Sequence, residues 1–293
     1  VRLGDRLLFS IPEFGVEAGS STVIVGATGS GKSVLLKAMS GLLPRGVFDV
    51  SGGMELFGVK AYEGGRMAPP DAWRRIRSRG VTFVPAETAQ AVNPALTLAQ
   101  NLRLLAPEAR GLVVRRLAEY FSLDFEAYAA KYPDEVSGGE LQRVTLIMLL
   151  SREAELVFLD EPTVNLDRQL RKRFADFLNA EILAPGGRAV LMVSHDLDFV
   201  RSLRLDRVIM LEGSGLRHLP DGLPPTSGID KAEGVAPVEP ALSLRELSQD
   251  YIVRGVFGER RARAYSGLNV DFSAGHVYGI TGPSGCGKTS MIR

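Results

Sequence analysis

The sequence has a single cysteine, Cys286, which excludes an intramolecular disulfide and any multi-cysteine zinc or iron–sulfur site, and which fits a reducing compartment. It has almost no net charge: 35 Lys and Arg against 34 Asp and Glu leave +1. A dedicated nucleic-acid binder carries a clear basic excess, so no nucleic-acid partner is expected. The basic runs RRIRSR (residues 74–79), RQLRKR (168–173) and ERRARA (259–264) read as solvated faces, with contact to RNA, DNA or lipid headgroups as the alternative. A long apolar run is also missing. The strongest, VTLIMLL at residues 144–150, falls far short of the roughly 18 residues a membrane span needs. The N-terminus lacks a signal-peptide pattern, so a membrane role is expected to run through a partner.

What is present is a chain of 293 residues, 45% hydrophobic and 24% charged, long enough to bury a sizeable core. It contains an internal repeat. VEAGSSTVIVGATGSGKS (residues 16–33) and FSAGHVYGITGPSGCGKT (272–289) match in order without a gap, a domain's length apart. Between them, residues 213–240 are rich in Gly, Pro and polar residues and have no apolar period. The reading is a first domain over residues 1–215, a linker over 216–240, and the start of a second domain over 241–293. The first domain is expected to be clipped at its N-terminal edge and the second to be cut off, as in a fragment of a tandem protein.

Within the first domain, TVIV (22–25), VTFV (81–84), LVFLD (156–160), AVLMVS (189–194) and RVIML (207–211) read as buried strands of a largely parallel sheet. Residues 32–42 carry helical spacing. From 96 to 150 the apolar residues recur every three to four positions, which predicts an inserted helical subdomain in an α/β core.

The glycine loop GATGSGKS (Gly26, Ala27, Thr28, Gly29, Ser30, Gly31, Lys32, Ser33) sits between a predicted strand and a predicted helix. Its glycines let backbone N–H groups turn toward phosphates, Lys32 reaches the β- and γ-phosphates, and the Ser33 hydroxyl suits a magnesium ion. The helix N-terminus adds roughly half a positive charge. LVFLDEP ends a strand in two carboxylates, placing Asp160 for the magnesium shell and Glu161 to polarise an attacking water. Ser137, Gly138, Gly139 and Glu140 form a second anion-binding device at a helix start, or simply a cap. His195 ends another strand, where it could touch a γ-phosphate, whereas His218 and His276 read as structural or exposed.

Glycine loop, SGGE, LDEPT, NLD (165–167) and SHD (194–196), in that order, resemble the nucleotide-binding domain of ATP-binding cassette (ABC) proteins. The resemblance covers nearly all of residues 1–215, and again 241–293. It implies a P-loop NTPase fold with a small antiparallel β region, ATP and Mg2+ as ligands, and ATP hydrolysis. It assigns residues 26–33 as Walker A, Asp160 as the Walker B carboxylate, Glu161 as catalytic base, Asn165 to Asp167 as the D-loop, and His195 as the switch histidine. Residues 137–140 become the signature that meets ATP held by an opposing domain, supplied in cis or trans. In the second copy, Gly282, Gly285, Gly287, Lys288 and Thr289 take the nucleotide-binding positions. Cys286 is read as a small loop residue there. One position departs from the pattern: Ala86 stands where the family has a magnesium-ligating glutamine, with Gln90 nearby.

NPALTLAQNL (93–102) and YPDEVSGGELQRV (132–144) look like the ATPases of peptide and nickel importers. That implies transmembrane permease subunits and a substrate-binding protein as partners, and a peripheral place on the cytoplasmic side of the membrane. Two alternatives stay open: a cassette ATPase of translation or DNA repair without a transporter, and a weakly active regulatory ATP-binding domain, which Ala86 suggests.

Overall fold

The computed structural model describes residues 1–44, 46–164, 166–183, 188–220, 222–223, 240–255 and 258–273. The chain divides into two compact units, Val1–Pro224 and Pro225–Arg293. The first opens with a short hairpin, β1 (Arg2–Leu3) and β2 (Arg6–Leu7), then β3 (Ser21–Val25) and α1 (Lys32–Met39). The strands β4 (Met54–Leu56), β5 (Val59–Glu63) and β6 (Arg66–Met67) lead to α2 (Pro70–Ser78) and β7 (Val81–Val84). A helical stretch follows: α3 (Leu98–Leu105), α4 (Gly111–Tyr120), α5 (Phe125–Tyr128) and α6 (Gly138–Leu150). The chain returns through β8 (Leu156–Asp160), α7 (Arg168–Phe177), β9 (Ala189–Ser194), α8 (Leu197–Arg201), β10 (Arg207–Glu212) and β11 (Gly215–His218).

Six strands form one sheet in the order β11-β10-β3-β9-β8-β7. Every neighbouring pair is parallel except β10 and β11. All five strands expected from the sequence lie in this sheet. Its antiparallel edge, β11, runs into the stretch expected to be linker. The β4-β5-β6 meander is the small antiparallel region. The fold is α/β, with a largely parallel sheet and an inserted helical subdomain.

The side-chain alternation of the central strands explains why they read as unbroken apolar runs. Val157, Leu159, Val190 and Met192 point to one face, where α6, α7 and the helical subdomain cover them. Leu156, Phe158, Leu191 and Val193 point to the other, where Leu35 and Leu36 of α1 and Trp73 and Ile76 of α2 close over them. A parallel sheet covered on both faces has no polar side to display. Each fully buried Leu, Ile or Phe contributes about 1.5–3 kcal/mol.

Helix α1 is expected to reach residue 42 but ends at Met39. Gly41 adopts φ +70, its N–H donates to Ala38 O at 3.2 Å, and the Leu42 N–H donates to Lys37 O at 2.8 Å. This left-handed closure satisfies carbonyls the last helical turn would leave open. A β-carbon at Gly41 would also lie 2.4 Å from the Trp73 ring, so glycine is required twice over.

The second unit, by itself, contains the antiparallel pair β12 (Pro240–Gly255) and β13 (Gly258–Ser273). Asp271 accepts from Ser243 and pairs with Arg245 at 2.8 Å across that hairpin. Among the described residues, no helix is long and apolar enough to cross a membrane.

Candidate functional site

Parallel strands end at the same edge, and the register makes that edge the meeting point of the motifs. Val25 is opposite Ser194, and Asp160 is opposite Val193. The loops that follow β3, β8 and β9 therefore leave the sheet side by side, and β7 delivers Ala86 from the far side of β8. Ligand sites in open α/β sheets form at this carboxyl edge.

The loop after β3 is built around positions that exclude side chains. A β-carbon at Gly26 would sit 2.6 Å from the Leu211 carbonyl oxygen, and Gly31 holds φ +96 as the N-cap of α1. Lys32 is only 5% exposed. Its Nζ donates to the carbonyls of Gly26 at 2.8 Å and Ala27 at 2.9 Å, so a buried ammonium is held inside the loop by the loop's own backbone. The Ser30 Oγ is buried and has no hydrogen-bond partner among the described residues. Ala27, Thr28 and Gly29 are exposed at the crest. A cationic group, an orphaned hydroxyl and a helix N-terminus gathered in one loop fit an oxyanion-rich ligand.

Ser33, on the first turn of α1, donates from Oγ to Asp160 Oδ1 at 2.6 Å. Burial pushes the Asp160 carboxyl above its ordinary range, against the Ser33 hydrogen bond and the charges of Lys37 and Lys32. One carboxylate and one hydroxyl, both hard oxygen donors beside the loop, fit magnesium, which takes few protein ligands and completes its shell with phosphate and water oxygens.

Glu161 follows with φ +46, a left-handed conformation that is uncommon for a side-chain-bearing residue, and its N–H donates to Val193 O at 3.0 Å. That turn swings the carboxylate toward β9. His195 Nδ1 lies 2.8 Å from Glu161 Oε2, and the His195 backbone N–H donates to the same oxygen at 3.1 Å. The imidazole is 56% exposed while Glu161 is 13% exposed, so the histidine faces outward and the carboxylate is shielded behind it.

The SGGE residues cap α6. Ser137 Oγ is 2.6 Å from Glu140 Oε2, and Glu140 Oε1 accepts from the Tyr128 hydroxyl at 2.6 Å. Burial alone raises the Glu140 carboxyl, but the hydrogen bonds from Ser137 and Tyr128 outweigh it and hold the group below its ordinary value. Ser137 and Gly138 are exposed, with Gly139 and Glu140 partly so. Asp167 caps α7, its Oδ1 accepting the Leu170 N–H at 2.9 Å.

Ala86 is partly buried after β7. Gln90 lies four residues further on, exposed, with its amide bonded to Glu87. His218 is exposed on β11. Asn165, His276, Cys286 and the second loop's Gly282, Gly285, Gly287, Lys288 and Thr289 lie outside the described residues.

Three further residues tie the motifs together. Gln142 of α6 is buried, its side-chain amide donates to the Val164 carbonyl, and its backbone carbonyl accepts from the Thr88 hydroxyl at 3.5 Å. Arg171 and Asp196 are paired at 2.9 Å. Gln142 gave a sequence signal, a polar residue at the head of a continuous apolar helix face. Arg171 gave none, since it sits in a run of basic residues indistinguishable from a solvated face.

The family model described as "ABC transporter" matches residues 10–164. Among curated proteins, the chain is 27% identical to the peptidoglycan transport ATP-binding protein YejF of Agrobacterium fabrum, covering 95% of this chain and 55% of the relative. It is 34% identical to the Fe(3+) ions import ATP-binding protein FbpC 1 of Rhodococcus jostii over 70% of this chain and 56% of the relative. It is 29% identical to the nickel import ATP-binding protein NikD of Brucella abortus over 74% of this chain and 81% of the relative. The chain thus spans little more than half the length of the first two. Among solved structures, a dimeric bacterial ABC transporter cassette superposes with a TM-score of 0.58 at 24% identity, over 70% of this chain and 87% of the other, which speaks to the fold.

Proposed function

This chain belongs to the ABC transporter family, and from that premise we propose that residues 1 to about 215 are a nucleotide-binding cassette that binds and hydrolyses ATP to drive a membrane importer of the peptide or nickel type. The observation that carries the reading is the convergence of Lys32, Ser33, Asp160, Glu161 and His195 at one sheet edge. The names of the relatives, all transport or import ATP-binding proteins, support the importer assignment.

In this reading Gly26, Ala27, Thr28, Gly29, Ser30 and Gly31 wrap the nucleotide phosphates with backbone N–H groups. Lys32 exchanges its carbonyl partners for phosphate oxygens, an exchange its position inside the loop allows without a large movement. Ser33 and Asp160 would hold a magnesium ion, which would supply charge neutralisation at the transferred phosphoryl group. Glu161 takes the proton of the attacking water, and its shielding keeps the carboxylate from being solvated away from that task. His195 steadies Glu161 through Nδ1 and turns Nε2 toward the γ-phosphate.

Ser137, Gly138, Gly139 and Glu140 are displayed for the ATP of an opposing cassette, with Asp167 beside that boundary. The opposing cassette is a second nucleotide-binding domain, supplied in cis or in trans. ATP favours the closed pair and hydrolysis releases it, a shift between two populations. The partners are permease subunits and a substrate-binding protein, with the cassette peripheral on the cytoplasmic face.

Ala86 favours a second reading, a slowly turning or regulatory cassette, because the glutamine ligand and sensor is missing there. Affinity purification of the tagged chain from membranes tests the transport assignment. Membrane subunits should be recovered in stoichiometric amount, whereas ribosomes or DNA in their place would overturn it.

A further inference from the structure

Arg171, on the first turn of α7, bridges two loops that border the site. Its Nε donates to the Leu166 carbonyl at 2.9 Å, and its Nη1 donates to Asp196 Oδ2 at 2.9 Å. Leu166 belongs to the loop that follows Glu161, and Asp196 follows His195 directly. The other oxygen of Asp196 accepts the Phe199 N–H at 3.0 Å and so starts α8, while the Asp196 N–H donates to Ser194 Oγ at 3.1 Å. The turn that carries His195 is therefore fixed at its base by Ser194, at its exit by α8, and on its flank by Arg171. His195 meets Glu161 from that turn, with Nδ1 2.8 Å from Oε2. A planar guanidinium holds two acceptors at set directions, which a lysine ammonium on a flexible stem does not do.

We propose that Arg171 is a positioning residue: it locks Leu166, downstream of Glu161, to the turn bearing His195, so that His195 stays on Glu161 during turnover. The proposal rests on the reading of Glu161 and His195 as parts of an ATPase site. Arg171 is 45% exposed and its partner 15% exposed, so the pair does little for global stability. Its effect should appear in the catalytic step, where small misplacements of reacting groups are costly.

The test is steady-state phosphate release by the full chain in Arg171→Ala, Arg171→Lys, Asp196→Asn, the Arg171→Ala/Asp196→Asn pair and Glu161→Gln. Asn at 196 keeps a capping oxygen for α8 and puts an NH2 group, which cannot accept from Arg171, in place of the other oxygen. Arg171→Ala should lower kcat about tenfold with KM for ATP within about twofold, and Arg171→Lys should recover part of the loss. The double variant should be no slower than the slower single, because both singles break one link. Unchanged kcat in Arg171→Ala, or additive losses in the pair, overturns the proposal when Glu161→Gln is inactive. If Glu161→Gln itself turns over normally, the ATPase reading beneath the proposal has failed instead.

Discussion

Ser33 and Asp160 stand 127 residues apart in the chain and are joined by a 2.6 Å hydrogen bond across the carboxyl edge of the sheet. The bond closes the gap between the glycine loop and the strand β8, and it does so with a carboxylate that burial pushes toward the neutral form.

Asp160→Asn separates the two roles. Asn keeps the acceptor for the Ser33 hydroxyl and removes the buried charge. Because the folded-state pKa is raised, the stability Asp160 contributes is fully present below its unfolded value and is lost as pH rises through the folded one. The variant should therefore melt higher than the parent at neutral pH, by roughly a few degrees. The gap should close on acidification below the unfolded carboxylate pKa of about 3.9. Phosphate release should fall to background at every pH. Thermal melts from neutral to acid pH and a magnesium-dependent phosphate assay check both halves.

Gly26→Ala forces a β-carbon to within 2.6 Å of the Leu211 carbonyl, a backbone atom that cannot rotate away. The strand β10 or the loop must shift, at a cost of about 1–3 kcal/mol. Denaturant unfolding should show that loss. Nucleotide affinity should fall with it, because the displaced loop no longer presents its N–H groups together. Wild-type stability in the variant would mean that the loop is looser than its geometry implies.

Ala86→Gln restores the amide that the family pattern carries after β7. Gln90 is exposed and engaged with Glu87, so it is not positioned as a ready substitute. The substitution should raise magnesium-dependent phosphate release severalfold. No change would show that the chain already completes the magnesium shell by other means.

How much of this was legible beforehand differs by the kind of interaction. The five strands were readable because both faces of the sheet are covered, as Phe158 and Leu159 show by pointing into different cores. The order of glycine loop, SGGE, LDEP and SHD identified which strand ends to compare. Which strands are neighbours was not readable: that β9 lies between β3 and β8 is a long-range fact, and it is what brings His195 to Glu161. The left-handed Glu161 had no local signal, since the residue type does not favour it. The end of α1 did have one, in Gly41, and helical spacing alone overran it. Arg171 makes its bonds to a carbonyl and a carboxylate of other loops, so only the folded chain reveals it, whereas Gln142 is marked by its polar side chain at the head of an apolar helix face.

The most direct test of the account is Glu161→Gln, with ATP binding and steady-state phosphate release measured on the same preparation. The amide cannot accept the water's proton, yet it fills the same space beside His195. Binding should remain within a few-fold of the parent, while turnover falls by about a hundredfold or more, the range ascribed to a general base. Phosphate release at the parental rate would contradict the assignment of Glu161 and, with it, the hydrolytic reading of the site.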